Sequence, residues 1–352
     1  MALSATALAA FLASGLSVRL RQTLETSIFG MVPQGYGVLM AFVAVLVLGS
    51  AVLFLPLAYY GGFVLPHRFQ LSVQTQRSWA ADYVKGTLLG LVQAVVVAVP
   101  VYALLRTTPT WWWLWAAGLV VLFGVVLANL APVLILPIFY KLSPLEDEAL
   151  RQRLEGLARA AGTRVRGVWV MDMSRRTRAA NAMLMGIGNT RRIVLGDTLL
   201  RTFEPHEVET VLAHELGHHV HRDLWRAMAL DGVTVLLALW LIDRLAGALS
   251  GALGLQGMAD VAALPLWLLI GGAVLVLALP VTNGFSRRRE AAADRFAVRA
   301  TGNAAAWKAA LRKLAEQNLA EVDPPPWVEW LLYSHPSIRH RLEAADRVAG
   351  GE

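Results

Sequence analysis

The chain has 352 residues, of which 56% are hydrophobic and only 16% are charged, and its mean hydropathy is +0.52. This composition excludes an ordinary soluble domain and indicates an integral membrane protein. Because there is no cysteine, disulfides, thiol nucleophiles and cysteine metal sites are excluded, and any metal must rest on histidines and carboxylates. The net charge of +7 does not indicate a nucleic-acid partner, since the basic residues cluster between apolar segments.

Several apolar segments are long enough to cross a bilayer, which needs about 20 apolar residues per helix. Four of them contain no Asp, Glu, Lys or Arg: 26–66, 86–105, 107–140 and 261–286. A fifth candidate, 224–249, contains Asp231, which we expect to face protein or a water-filled cavity. The tryptophans within 111–115 are expected to anchor a span at the interface. Residues 1–18 are uncharged but only weakly apolar, and the sequence leaves their placement open.

Two Arg-rich regions, 141–223 and 287–352, are separated by the last two spans, whereas 250–260 has neither Lys nor Arg. By the positive-inside tendency, both Arg-rich regions are predicted to be cytoplasmic. The sequence therefore divides into an N-terminal transmembrane region (1–140), a catalytic region (141–226), a transmembrane hairpin (227–286) and a C-terminal catalytic region (287–352).

The polar regions contain short elements in a mixed pattern. Helices are predicted at 145–161, 204–222 and 304–320, and Asp323–Pro326 breaks the last of these. Short strands are predicted at 167–173 and 192–195, with a further strand possible at 181–188. We thus expect a mainly helical, multi-span protein whose catalytic part contains a small β-sheet.

The helix at 204–222 carries the strongest chemical signal, the segment AHELGH at 213–218. It places His214 and His218 four residues apart on one helix face, which suits a single zinc ion, with Glu215 beside them. Zinc lowers the pKa of water, and Glu215 would act as general base in the attack on a carbonyl. The alternative is a pair of structural histidines on a polar face. His206, His219 and His221 lie off the ligand spacing and are excluded.

The third metal ligand is predicted from membrane topology. The two spans after His218 leave one membrane face and return to it just before residue 286, so the segment SRRREAAAD should meet the histidine pair. Glu290 would then bind the metal, and Asp294, one turn further, would accept a hydrogen bond from a ligand imidazole, with Arg287 on the same helix face. The alternative is a solvated run of charges.

These residues together resemble the membrane zinc proteases of the CAAX prenyl protease type. The resemblance extends to FVLPHRFQLSVQ at 63–74, FYKLSPL at 139–145, RIVLGDTLL at 192–200 and HPSIRHRL at 335–342, and it covers roughly residues 36–345. The family usually has seven spans, whereas five are found here besides residues 1–18.

The resemblance implies a helical transmembrane bundle with a zincin-like domain and one Zn²⁺ per chain. It implies that Asn181 binds the substrate main chain beside an edge strand, that His335 contacts the scissile carbonyl or its oxyanion, and that Arg341 lies near the metal-binding carboxylate. Without it, Asn181 reads as a turn cap and Arg341 as a surface charge.

The implied activity is cleavage of peptides, CAAX-like, lipidated or membrane-associated, near their C-terminus, by a multi-pass protein of a bacterial-type inner membrane. Two other functions stay open: a quality-control protease of the HtpX type, and a membrane scaffold that binds metal without catalysis.

Overall fold

The computed structural model describes residues 2–28 and 35–351, apart from the side chain of Asn189. The α-helices up to the end of the third long span are α1 Ala2–Ala13, α2 Leu16–Ile28, α3 Tyr36–Leu53, α4 Leu55–Tyr59, α5 Leu65–Arg68, α6 Gln76–Thr107, α7 Trp112–Leu130 and α8 Leu136–Phe139. The later α-helices are α9 Glu148–Ala160, α10 Asp197–Thr202, α11 Pro205–Val220, α12 Asp223–Leu249, α13 Leu264–Thr301, α14 Ala304–Gln317, α15 Pro326–Leu332 and α16 Ile338–Ala349.

Five helical segments of the described residues are long and apolar enough to cross a membrane. They are Tyr36–Leu53, Gln76–Thr107, Trp112–Phe139, Asp223–Leu249 and Val261–Thr301. Each contains the apolar part of a predicted span, although residues 29–34 of the predicted span 26–66 lie outside the described residues. The open segment 1–18 falls on α1 and α2, which are bent by 66° and would make a sixth span if they count as one.

The chain forms two compact units, and the first consists of Met1–Leu57, Tyr83–Gly124 and Met228–Ala278. Its core is aromatic: the ring of Trp267 stacks on Tyr102 at 5.3 Å and on Trp112 at 5.1 Å. Trp112 was expected to be an interfacial anchor but is fully buried, and its Nε1 donates to Asp243 at 2.7 Å. That expectation was wrong for Trp112, because a run of tryptophans on a helix presents only some of them outward.

Asp231, which the sequence predicted to face protein or a water-filled cavity, has an exposed side chain on α12.

A buried ion pair lies in the same unit. Arg21 on α2 contacts Asp260 at 2.5 Å, and the two side chains are 4% and 0% exposed. The carboxylate of Asp260 also accepts hydrogen bonds from the backbone N–H groups of Gln256 and Ala262. These bonds satisfy the buried charge and tie α2 to the segment before α13.

The second unit consists of Ala58–Asp82, Val125–Ala227 and Leu279–Glu352. It contains a four-stranded sheet in the order β1-β2-β4-β3. The strands are β1 Leu142–Pro144, β2 Val168–Met171, β3 Ala182–Met185 and β4 Arg192–Gly196. β2 and β4 pair in parallel, while β1–β2 and β3–β4 are antiparallel. β3 therefore lies at one edge of the sheet.

The predicted strands at 167–173, 181–188 and 192–195 are confirmed as β2, β3 and β4. β1 was missed because three residues that end in proline give no alternating pattern. Apolar faces of α9, α11 and α14 form the core of this unit with the inner face of the sheet, through residues such as Leu154, Leu195, Leu212 and Trp307. The fourfold division of the chain follows membrane topology and stays a prediction.

Candidate metal centre and active site

Helix α11 holds the two candidate histidines rigidly. Pro205 occupies its first turn, and Glu204 and Glu207 form a reciprocal capping box there. Val208 and Leu212 bury the opposite face of the helix in the core. The imidazole rings of His214 and His218 lie 4.8 Å apart at 87°, with side chains 9% and 26% exposed. Their separation by four residues thus directs both rings to one point.

Glu290 on α13 meets this pair, as the topological argument predicted. Its Oε2 lies 3.3 Å from His214 Nε2 and its Oε1 lies 3.3 Å from His218 Nε2, while the two Nε2 atoms are 3.2 Å apart. Ligand atoms about 2.0–2.1 Å from a tetrahedral zinc are separated by about 3.3 Å. The three side chains therefore fit one such ion.

One oxygen atom of the site could accept a further interaction. Glu290 Oε2 is buried and has no hydrogen-bond donor among the described residues. A buried carboxylate oxygen without a partner is costly. A bound cation would satisfy it.

Each histidine has a carboxylate oxygen 2.9 Å from its Nδ1 atom. Asp294 Oδ1 lies 2.9 Å from His214 Nδ1, as expected, and Arg341 donates to both oxygens of Asp294 at 2.8 and 2.7 Å. Asp223 Oδ2 lies 2.9 Å from His218 Nδ1. An imidazole that donates from Nδ1 keeps the lone pair of Nε2 for a metal.

Asp223 is a site residue that sequence reasoning missed. It begins α12, directly after Arg222, whose φ of 57° is left-handed and separates α11 from α12. The only signal was an acidic residue five positions after His218, and the break that turns it back toward the imidazole could not be read from the pattern.

The carboxylates strongly affect the histidines. When no cation is bound, burial lowers the pKa of His214, but Asp294 and Glu290 outweigh it and raise the pKa to about 9. For His218 burial also opposes the shift, while Glu290 and Asp223 raise the pKa above its ordinary value. The site therefore attracts a positive charge, either protons or a metal ion.

Glu215 stands between the metal trio and the sheet. Burial raises the pKa of its carboxyl group, although nearby His214 and His218 and a hydrogen bond from the Leu184 backbone N–H act in the opposite direction. Leu184 belongs to the edge strand β3. A carboxylate with a raised pKa beside an open strand edge suits general-base chemistry.

The edge of β3 is available over a short length. The carbonyl of Asn181 accepts from Gly196 N–H at 2.8 Å, so the alternation of an antiparallel pair turns Ala182 and Leu184 outward. The backbone groups of Ala180, the residue before Asn181, are already hydrogen-bonded within the chain. Its N–H donates to Asn318 Oδ1 at 3.2 Å, and its carbonyl accepts from Asn318 Nδ2 at 3.4 Å. Asn181 itself is exposed at the end of this free edge.

His335 approaches the same trio from the C-terminal region. Its Nε2 lies 3.4 Å from Glu290 Oε1, and its side chain is 56% exposed. Partial loss of water around the ring lowers the pKa of His335, with the charge of Glu290 opposing and that of Arg341 reinforcing the shift.

Arg287 lies further out. It donates to the carbonyls of Glu329 and Tyr333 at 2.9 and 2.6 Å, which fixes the segment leading to His335. Among the described residues its hydrogen bonds go to these carbonyls and not to the metal trio, so its contribution to the site is indirect.

Two packing contacts fix the spacing of these elements. The ring of Trp307 stacks on His214 with 5.3 Å between the ring centroids, and the Arg341 guanidinium lies over the same indole, 5.5 Å from its centroid. Helices α11 and α13 approach closely at Gly217, where an added Cβ would lie 3.0 Å from Ala293 Cα and 3.2 Å from Phe296 Cβ. Neither contact was foreseen from the sequence.

The excluded histidines stay outside the trio. His221 makes an edge contact with Phe296, and His219 borders a cleft beside His218. The candidate metal group found among the described residues is His214, His218 and Glu290.

Comparison with known proteins shows the family to which the chain belongs. Residues 1–141 match the CAAX prenyl protease N-terminal family, which has five membrane helices, and residues 144–349 match peptidase family M48. The uncharacterized metalloprotease YhfN of Bacillus subtilis is 32% identical over 340 residues, which are 96% of this chain and 79% of that protein. The CAAX prenyl protease 1 homolog of Oryza sativa is 28% identical over 310 residues, 87% of this chain and 73% of that protein.

A solved structure, Ste24p of S. mikatae, has the same fold, with a TM-score of 0.83 at 24% identity over 96% of this chain and 82% of that one. Family membership implies a metal, a peptide or protein substrate and a membrane setting. The chain therefore belongs to peptidase family M48, as a membrane metalloprotease with the N-terminal domain of the CAAX prenyl proteases.

Proposed function

We propose that the chain is a zinc-dependent membrane endopeptidase in which His214, His218 and Glu290 hold one Zn²⁺. The observation that carries this proposal is the close grouping of their ligand atoms: the two Nε2 atoms lie 3.2 Å apart, and each lies 3.3 Å from one carboxylate oxygen of Glu290. Bound zinc supplies Lewis acidity, which polarises a carbonyl and lowers the pKa of water. Three protein ligands would leave such an ion able to bind substrate or water as well.

The remaining roles belong to side chains around the trio. Glu215 accepts the proton of the attacking water and returns it to the departing amine, a function favoured by its raised pKa. His335 donates a hydrogen bond to the oxygen on which negative charge develops. Asp294, itself held by Arg341, and Asp223 keep the two imidazoles in the tautomer that exposes Nε2.

The substrate lies along β3 as an added strand. The outward-facing backbone N–H and carbonyl of Ala182 and the carbonyl of Leu184 can hydrogen-bond the substrate main chain. Asn181 binds the substrate main chain at the end of this strand edge. Because the side chain of Asn318 already hydrogen-bonds the backbone N–H and carbonyl of Ala180, the strand edge accommodates only a short extended segment. This favours cleavage near a chain end.

The substrates we propose are CAAX-like, lipidated or membrane-associated peptides, cut on the cytoplasmic face of a bacterial-type inner membrane. Support comes from the match to the CAAX prenyl protease N-terminal family and from relatives that carry that name. An HtpX-type quality-control protease would instead cut unlabelled misfolded membrane protein. A non-catalytic scaffold would leave the placement of Glu215 between metal trio and open edge without a purpose.

The test compares Glu215→Gln with the wild type, both purified in detergent. We expect equal zinc content by elemental analysis and loss of cleavage of a prenylated CAAX peptide. Glu209→Gln, on the same helix but paired with Arg153, is the matched control and should keep both properties. Full cleavage by Glu215→Gln would end the proposed mechanism. Preference for misfolded protein over the prenylated peptide would favour the HtpX-type function.

A further inference from the structure

A cleft of about 490 Å³ opens beside His218 and is not used by the mechanism above. It lies between the end of α11, the turn after α9, and Gly186 and Ile187, which follow the edge strand β3. His218 therefore belongs both to the cleft and to the metal trio. Gly186 and Ile187 line the cleft just beyond the edge strand along which a substrate strand would lie.

The cleft is cationic and lacks an internal counter-charge. Arg191 and Arg222 line it, no acidic side chain of the described residues does, and neither guanidinium forms an ion pair within that part of the chain. The Nε of Arg191 is buried without a hydrogen-bond partner in the described residues. Partial burial also lowers the pKa of Arg191. A carboxylate would supply the missing acceptors in the bidentate geometry that arginine favours.

The position of the cleft along β3 places it on the N-terminal side of the scissile bond of an added substrate strand. Antiparallel pairing is the more stable arrangement for a strand added to β3. It places the N-terminal part of a substrate at the Gly186 end of β3 and the C-terminal part at the Asn181 end. Leu184, which contacts Glu215, marks the catalytic position along the strand. At about 3.3 Å per residue, the cleft is reached two or three residues upstream of the cut.

We propose that this cleft, lined by Arg191 and Arg222, binds an acidic side chain of the substrate two or three residues N-terminal to the scissile bond. The inference rests on the proposed function and adds a specificity to it. Exposed Leu224 and Trp225 at its border would cover the apolar part of the bound side chain.

The test uses peptides identical except for Glu or Gln at the second or third residue upstream of the cut. We expect the wild type to prefer Glu by about tenfold or more in kcat/KM, as for hydrogen bonds between charged groups. In Arg191→Gln and in Arg222→Asn, which tolerates the left-handed φ, the ratio should fall toward one. Arg191→Glu should favour a Lys peptide, and exposed Arg164→Gln, outside the cleft, should keep the wild-type ratio.

Equal cleavage of Glu and Gln peptides by the wild type would overturn the cleft proposal while leaving the proposed function intact. Failure of the zinc-loaded wild type to cleave any peptide would overturn both. The assay is repeated in vesicles with and without anionic lipid. If Arg191→Gln removes a dependence on anionic lipid that is the same for every peptide, the cleft binds lipid phosphate and the proposal is wrong.

Discussion

Replacing Gly217 with alanine puts a methyl group into the closest approach between α11 and α13. The new Cβ would lie 3.0 Å from Ala293 Cα, whereas carbon atoms in contact prefer about 3.5–4.0 Å. The helices must therefore separate locally by at least about 0.5 Å. Glu290 lies one turn before Ala293 on α13, so the separation displaces the third candidate ligand from the two histidines.

Metal sites tolerate errors of only about 0.2 Å in ligand distances. We expect Gly217→Ala to weaken zinc binding by about ten- to hundredfold, the range seen when groups that support metal ligands are changed. Helix propensity acts in the opposite direction, since alanine is favoured over glycine by about 1 kcal/mol within a helix. A loss of affinity is therefore specific to the helix contact.

Zinc affinity is measured by competition with a chromophoric chelator, with peptide cleavage at saturating zinc as a second readout. Gly156→Ala is the matched control, because Gly156 is also helical but an added Cβ there meets nothing within 4 Å. If Gly217→Ala binds zinc as tightly as the wild type, the close approach of the helices does not set the position of Glu290, and the reasoning fails.

Three further predictions concern other parts of the structure. Asp223→Asn should weaken zinc binding by about 10–100-fold, because it replaces the charged acceptor beside His218 Nδ1 with a neutral amide; unchanged affinity in the chelator competition would contradict this role. Because the pKa of His214 is raised to about 9, zinc must displace a proton at pH 7.5, so affinity should rise with pH toward that value. Calorimetry in buffers of different ionisation enthalpy measures the released protons, and a result of none would contradict it. Arg21→Ala should cost about 3–5 kcal/mol of stability, because it leaves the carboxylate of Asp260 buried without its ion-pair partner. Thermal unfolding in detergent tests this, and the double variant Arg21→Met with Asp260→Leu should recover part of the loss. An undiminished melting temperature in Arg21→Ala would argue against it.

The sequence was informative where a local period or a membrane constraint controls the structure. The spacing of His214 and His218 is a property of the helix alone, and the apolar segments follow from bilayer thickness. Glu290 could be placed because two spans between fixed faces leave few ways for the chain to return. In each case one simple geometric rule was sufficient.

Contacts that depend on several elements were not accessible in this way. Asp223 reaches His218 only because Arg222 adopts a left-handed backbone, which is uncommon for a residue other than glycine. Asn318 satisfies Ala180 across 138 positions of sequence, and Trp307 packs on His214 from a separate helix. Such pairings arise from tertiary packing and leave no periodic trace in the sequence.

On α13 the candidate ligand Glu290 and Asp294, whose carboxylate lies beside His214, are four residues apart. This equals the spacing of His214 and His218 on α11, so each helix presents its pair of side chains within about one turn. One residue inserted between Glu290 and Asp294 would rotate the two side chains by about 100° relative to each other and lengthen the helix by about 1.5 Å. The two carboxylates could then not both face His214, so the length of this single helical turn matters to the site as much as the identity of its side chains.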